Sequence, residues 1–379
     1  MVQEIGRPAP DLSLFRKLLL MNWGLIAIVL AIAAIGVAIL YSAAGGQWNP
    51  WASRQVARLG VGLVVMVAVA LVDVRLWLRY AYLIFGLALG LLIVVDVMGR
   101  VGGGAQRWID FGVLQLQPSE LMKLALVLAL ARYFHGLTLE QVGKPLMLVP
   151  ALLLIGLPVV LVLRQPNLGT AMLLAIGSSA LMLAAGVRIW KFLLVGGAAA
   201  AAVPIAWTFL KDYQKRRVYT FLDPSQDPLG AGYNILQSKI ALGSGGIFGK
   251  GFLNGTQGQL RFLPEMQTDF IFTVLAEEFG MVGCLVLLGL YVLVLTYGFA
   301  IALRARSQFG RLVAIGVTTQ MFLYVFINMA MVMGLVPVVG IPLPLVSYGG
   351  TAMLTLLAGA GLLISVSVHR DVEIPRWHG

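Results

Sequence analysis

The sequence predicts an all-α integral membrane protein, a polytopic bundle of ten transmembrane helices with a large extracellular loop between helices 7 and 8. Three observations point there. Of 379 residues, 60% are hydrophobic and only 11% charged, with a mean hydropathy of +0.92, whereas a soluble globular chain is nearer half apolar and a quarter charged. Apolar runs recur along the whole chain, each near the ~20 residues that cross a bilayer as a helix. One long polar interruption, residues 211–268, separates seven such runs from three.

The predicted spans are 22–42, 54–73, 77–96, 118–134, 146–163, 168–186, 190–210, 269–302, 310–335 and 347–368. The first is too long for a signal peptide and lacks a small-residue cleavage pattern. Arg7, Arg16 and Lys17 precede it, which predicts a retained helix behind a cytoplasmic N-terminus, residues 1–21. Ten crossings return the C-terminus, residues 369–379, to the same side. Fourteen basic residues then lie in cytoplasmic segments against five in the short outer loops, as expected when Lys and Arg collect inside. The net charge of +11 therefore reports topology, not a nucleic-acid partner. Cys284 is the only cysteine and His135, His369 and His378 are scattered, which excludes disulfide, redox and zinc chemistry. No internal repeat supports an inverted-repeat transporter, and the chain, 1–379, is expected to form one membrane domain.

The interruption at 211–268 is polar, rich in Gly and Pro, and 58 residues long. Loops of that length are functional or disordered. Tyr219, Phe221, Ile235, Phe248 and Phe262 argue against disorder and for packing onto the bundle or the bilayer surface, with a short amphipathic helix over 230–243. Within it, GSGGIFGKG (Gly243 to Gly251) fails as a phosphate loop, because Ser244 and Gly251 stand where that motif needs Gly and Ser or Thr. Two uses remain open: flexible backbone packing, or contact of the amides or Lys250 with an anionic ligand.

The strongest chemical feature is FLPEMQTDFIF, Phe262 to Phe272. Asp269 should begin the eighth span, near a positive helix N-terminus that favours its ionised form, as a general base or cation ligand requires. A helix-capping carboxylate is the plainer alternative. Glu265, Arg216, Arg217, Lys239, Lys250 and Arg261 share the loop, and two readings stand for them: a ring around a phosphorylated substrate, or individually solvated charges. Glu277 and Glu278 fall about 12 Å deeper on the same helix at about 1.5 Å per residue, where two acids need water or partners. A polar network and an ion site both satisfy that need.

QPSELMK supplies the other intramembrane charges. Gln117-Pro118 makes a helix start, and Glu120 lies three residues before Lys123, so the two can pair on one face, as structural glue or as catalytic groups. Before it, GGGAQRWIDFG (Gly102 to Gly112) forms an outer loop in which Trp108 and Arg107 anchor to the interface or meet a pyrophosphate. Near the C-terminus, NMAMVMGLVPVVGIPLPLVSYGG (Asn328 to Gly350) interrupts two apolar runs with Pro337, Pro342 and Pro344, a break tolerated at membrane depth only under protein cover or in a cavity.

Together with QRWID, QPSELMK, FLDPSQDPLGAGYN and LPEMQTDFIF, in this order, that segment resembles the SEDS family of RodA, FtsW and SpoVE across nearly the whole chain. GTQGQLRFLPEMQTDFIF looks more like the RodA branch, which implies cell elongation and cell shape in place of division. The resemblance implies a ten-helix fold in the bacterial cytoplasmic (inner) membrane, with both termini cytoplasmic and the active site outside. It implies polymerisation of lipid II into β-1,4-linked glycan, inverting, with release of undecaprenyl pyrophosphate. The implied partners are a class B penicillin-binding protein and the elongation machinery.

Carried over by motif, Asp269 matches the essential loop aspartate, expected to deprotonate the acceptor 4-hydroxyl directly or with a divalent cation, Mg or Mn. No organic cofactor is implied. Arg107, Arg217 and Lys239 are candidates to stabilise the leaving diphosphate, with Lys250 and Glu265 as further substrate-binding candidates. Glu120 and Lys123 match a buried polar pair expected to join the acid of QPDLGT. Here Asn167 stands where the family often has Asp, and Asn cannot neutralise Lys123. Against this reading stand a lipid II flippase or transporter, a scaffold that only activates its partner, and an FtsW-like division paralogue.

Overall fold

The computed structural model describes residues 13–98, 100–102, 105–110, 115–209, 212–224, 231–256 and 265–375. Its helices are α1 (Leu14–Leu19), α2 (Trp23–Ala43), α3 (Trp51–Leu71), α4 (Val74–Met98), α5 (Pro118–His135), α6 (Leu139–Gly143), α7 (Val149–Arg164), α8 (Leu168–Ala184), α9 (Ile189–Phe209), α10 (Asp212–Leu222), α11 (Ala231–Ser244), α12 (Ile271–Arg304), α13 (Gln308–Val332) and α14 (Gly350–Val368). Three short strands, β1 (Arg100–Gly102), β2 (Ala105–Asp110) and β3 (Gln115–Leu116), lie between α4 and α5.

Among the described residues, seven helices are long and apolar enough to cross a membrane: α2, α3, α4, the Pro145–Arg164 stretch that includes α7, α12, α13 and α14. α8 and α9 are apolar but shorter in their countable part. α5 carries Glu120, Lys123 and Arg132, too many charges to count by composition, yet nearly all of it is buried. Burial orders the bundle. In α13 and α14, 78% of the spanning window is inside the protein, against 22% in α3, the α7 stretch and α12. α5, α13 and α14 therefore form the centre, and the other three turn most of their surface toward lipid, where apolar residues need no partner. Small residues permit the close contacts: a Cβ on Gly36 of α2 would lie 2.6 Å from the Leu345 carbonyl oxygen.

Two features differ from the sequence-based expectation. The fold is not purely helical: β1, β2 and β3 form an antiparallel sheet, with Arg100 opposite Trp108 and Ile109 opposite Leu116. The β-branched and aromatic residues of QRWID, bounded by glycines, suit a half-buried hairpin better than a coil. The predicted helix at 230–243 is present as α11, and α10 is a second. α11 packs onto the bundle, where the Ser238 hydroxyl donates to the Val332 carbonyl at 2.7 Å.

The second difference is in α12, which is broken at Gly280 (φ 63, ψ −158). Its freed backbone groups are met by the glycine-rich stretch. The amides of Lys250 and Gly251 donate to the carbonyls of Glu277 and Glu278 at 3.0 and 2.9 Å, and the amides of Met281 and Val282 donate to Gly246 and Ile247 at 3.0 and 3.1 Å. Gly249 packs so closely against the break that a Cβ would collide with the backbone of Glu278. Of the two uses left open for GSGGIFGKG, backbone packing is the one the structure contains.

Candidate functional site

A cavity of about 490 Å³ opens where the N-terminal ends of α5, α8, α12 and α14 converge on the 336–349 connection. Asp269, Glu265 and Thr268 line it from the loop before α12, Glu120 and Lys123 from α5, and Tyr324 from α13. Asn167 and Trp108 also face it. The tertiary structure thus gathers residues that are up to 244 positions apart in sequence, Trp108 and Ala352, around one space.

Asp269 is not part of a helix cap. α12 starts at Ile271, its N-cap is Phe270, and no side chain caps it. The loop is held from the opposite side of the chain. Asn328, fully buried on α13, donates both amide hydrogens, to the Asp269 carbonyl at 2.9 Å and to the Ile341 carbonyl at 2.7 Å. The Ser347 hydroxyl donates to the Thr268 carbonyl at 2.6 Å and accepts from the Leu343 amide at 2.7 Å. The Tyr348 amide donates to the Gln267 carbonyl at 2.8 Å. Gln55 donates to the Ser347 carbonyl at 3.0 Å, and the Arg58 guanidinium lies 4.4 Å over the Tyr348 ring. Gly340 (φ +69) lets the connection approach the acid: a Cβ there would stand 3.3 Å from Asp269 Oδ2.

This setting corrects the electrostatic expectation. Instead of a helix end holding Asp269 ionised, burial and then the neighbouring Glu265 carboxylate push its carboxyl up from 3.8 to about 6. Desolvation penalises the charged form, and a like charge adds to the penalty. The result suits proton abstraction near neutral pH, since a base titrating just below the working pH is both ionised and basic.

At the cavity floor, Lys123 Nζ meets Glu120 Oε1 at 2.6 Å, and the Tyr324 hydroxyl donates to Glu120 Oε2 at 2.5 Å. Lys123 also hydrogen-bonds the Tyr324 hydroxyl. Both charged side chains are almost fully buried, so each depends on the other. The pair forms as the i, i+3 spacing predicts, but its third member is Tyr324 and not position 167. Asn167 caps α8, its Oδ1 accepting from the Thr170 amide at 3.3 Å. An Asn serves that role as well as an Asp does.

Lys250 is placed away from the cavity. Its Nζ pairs with Glu277 Oε1 at 2.6 Å, and the Thr256 hydroxyl donates to the same oxygen at 2.8 Å. Ser42 on α2 donates to Glu278. Glu277 and Glu278 are therefore a polar network at the helix break, and Lys250 is spent on it in place of an anionic substrate. Lys239 is exposed on α11 and runs beside Gly334, outside the cavity lining. The side chains of Arg107, Arg216 and Arg217 are outside the described residues, as is all of Arg261.

Sequence reasoning missed Asn328, Tyr324, Ser347, Arg58 and Gln55. One clue was available: Tyr324 and Asn328 are four apart in an apolar run, hence polar groups stacked on one helix face.

Comparison with known proteins agrees with the motif reading. The family model described as a cell cycle protein of the FtsW/RodA/SpoVE type matches residues 15–372. The chain is 45% identical over 354 residues to the peptidoglycan glycosyltransferase MrdB of Escherichia coli (strain K12), covering 92% of this chain and 94% of that one. It superposes with a TM-score of 0.81 and 37% identity on a chain from a structure described as structural coordination of polymerization and crosslinking by a peptidoglycan synthase complex, covering 92% and 98%. With the rod shape determining protein RodA of Thermus thermophilus the TM-score is 0.70 at 33% identity, covering 92% and 97%. This chain belongs to the FtsW/RodA/SpoVE family.

Proposed function

We propose that this protein is a membrane-embedded peptidoglycan glycosyltransferase that polymerises lipid II during cell elongation, with the reaction centred on Asp269. The observation that carries this is the placement of the Asp269 carboxylate in a polar cavity, fixed by Asn328 and the 343–348 backbone, with a titration midpoint of about 6. Similarity to MrdB and to a chain of a peptidoglycan synthase complex supports the activity, and a class B penicillin-binding protein is the proposed partner.

Asp269 would take the proton from the acceptor 4-hydroxyl. The freed oxygen then attacks the donor anomeric carbon from the face opposite the diphosphate, the bond to the diphosphate breaks, and a β-1,4 link forms. Asn328 holds the base in register, and the Glu120–Lys123–Tyr324 group keeps the cavity floor polar and rigid. No group of three or more His, Cys, Asp or Glu gathers among the described residues. Asp269 and Glu265 nonetheless offer the one or two carboxylates that suit Mg or Mn when water and substrate phosphate complete the shell. Bound there, such a cation would neutralise charge on the diphosphate.

With α5, α8 and α9 added to the seven long apolar helices the spans would number ten, an even count that returns both termini to one face; the excess of Lys and Arg there supports the cytoplasmic one, with residues 211–268 between the seventh and eighth spans and the Asp269 cavity outside. The whole chain then acts as a single membrane domain. The test is polymerisation of labelled lipid II by the purified protein, with and without its partner, comparing wild type with Asp269→Ala. Full activity in the Ala variant at equal expression removes Asp269 from the chemistry. Lipid scrambling across vesicles without glycan would establish the flippase reading instead.

A further inference from the structure

At the end of the bundle opposite the Asp269 cavity, a second pocket of about 160 Å³ lies between the start of α2 and the ends of α12 and α14. Asn22, Tyr297, Arg304, Ser367 and Arg370 are among its lining residues, and no acidic residue is. Tyr297, Ala300, Ile301 and Arg304 face it at i, i+3, i+4 and i+7, one stripe of α12.

The two guanidiniums differ in what they already hold. Arg370 is an exposed partner of Asp371 at 3.6 Å, a loose pair that contributes little. Arg304 has no carboxylate within 4.0 Å among the described residues. It sits in the last turn of α12, where its charge complements the helix end. That leaves the planar fork of donors, which matches phosphate oxygens, free to bind.

The surroundings indicate how a phosphate would arrive. Beside the pocket's Thr296 edge α12 carries Leu303 (84% exposed), and Trp23 (59%) opens α2 directly after Asn22. An apolar stripe thus runs up to the rim of a cationic pocket, the boundary where acyl chains end and headgroups begin. Basic pockets between membrane helices at such a boundary suit anionic headgroups. We infer that this pocket binds the phosphate of an anionic phospholipid, with Arg304 and Arg370 clasping the headgroup and the acyl chains lying along Trp23 and Leu303. The site is separate from the proposed chemistry and does not depend on it.

The test uses full-length protein in detergent and follows thermal unfolding on titration with dioleoylphosphatidylglycerol, dioleoylphosphatidylcholine at equal concentration, or inorganic phosphate. Wild type is compared with the Arg304→Gln/Arg370→Gln and Arg304→Lys/Arg370→Lys double variants. Both arginines are exposed, so the variants should fold, and an unchanged melting temperature without lipid verifies it. The expected result is a preference for the anionic over the zwitterionic lipid that weakens about tenfold or more in the Gln pair and is partly kept in the Lys pair. If inorganic phosphate alone reproduces the shift in wild type and not in the Gln pair, the pocket is a phosphate site and the lipid as its source is overturned. An equal preference in wild type and the Gln pair overturns the site itself.

Discussion

Glu265→Gln removes the negative charge that, after burial, raises the Asp269 carboxyl. An ordinary Asp titrates at 3.8 and Asp269 at about 6, with burial the larger cause and Glu265 the smaller. Glu265 therefore accounts for less than half of the difference, and neutralising it should lower the Asp269 midpoint by less than about one pH unit. Because only the ionised base accepts a proton, the rate should fall about tenfold per pH unit below that midpoint. The assay is kcat/KM for fluorescent lipid II polymerisation by the purified protein with its partner, from about pH 4.5 to about pH 8, which reports the free enzyme's titration. Wild type is expected to show an acid limb near 6, and the Gln variant a limb between about 5 and about 6. The midpoint is the readout, compared between the two proteins at one saturating divalent-cation concentration, because a cation bound beside Asp269 would itself pull its carboxyl down. A wild-type limb near 4, or an upward move in the Gln variant, refutes the view that burial and a like charge set this base.

The same carboxyl makes a stability prediction. Its midpoint is higher folded than unfolded, so its contribution favours the fold below about pH 4 and is lost as pH rises through about 6. Asp269→Asn should therefore abolish polymerisation while raising stability at pH 7 by about 1 to 3 kcal/mol, a range lowered for partial solvent screening, and thermal melts at pH 7 and pH 4 should show the gain shrinking with acid. Lys123→Met leaves Glu120 buried and unpaired, a loss of about 3 to 5 kcal/mol, whereas Glu120→Gln with Lys123→Met should recover most of it in a double-mutant cycle. Asn328→Ala strips a donor from two carbonyls, and a loss of about 2 kcal/mol or more should accompany a displaced acid limb in the pH profile. Gly280→Ala forces a side chain onto φ +63 and places its Cβ 2.6 Å from the Ile247 carbonyl oxygen. It should unseat the 245–251 stretch and speed proteolysis there, while a Gly90→Ala control on α4, with open space around it, should not.

Most of the spans were legible because hydrocarbon imposes a length and a composition on every segment that crosses it, and both are local properties of sequence. The same locality made the i, i+3 pairing of Glu120 with Lys123 readable, and α11. Asp269 stood out because a charge beside a long apolar run has few uses. The roles of Asn328, Ser347 and Tyr324 were not readable. Each acts on a backbone or carboxylate group brought near only by packing: Ser347 is 79 positions from Thr268, and Tyr324 is 204 from Glu120.

Sequence alone determined the membrane class, the family and the identity of the candidate base. Tertiary structure decided what surrounds that base, and with it the sign of its pKa displacement, because desolvation depends on the total enclosure of a group and not on its neighbours in the chain. It also reassigned Lys250 and Glu277. Read linearly, they were a free cation in a loop and an acid inside a helix. The break at Gly280 brings them to 2.6 Å, and the buried Glu277 carboxylate, deprived of water, takes the half-buried Lys250 as its partner in place of a substrate.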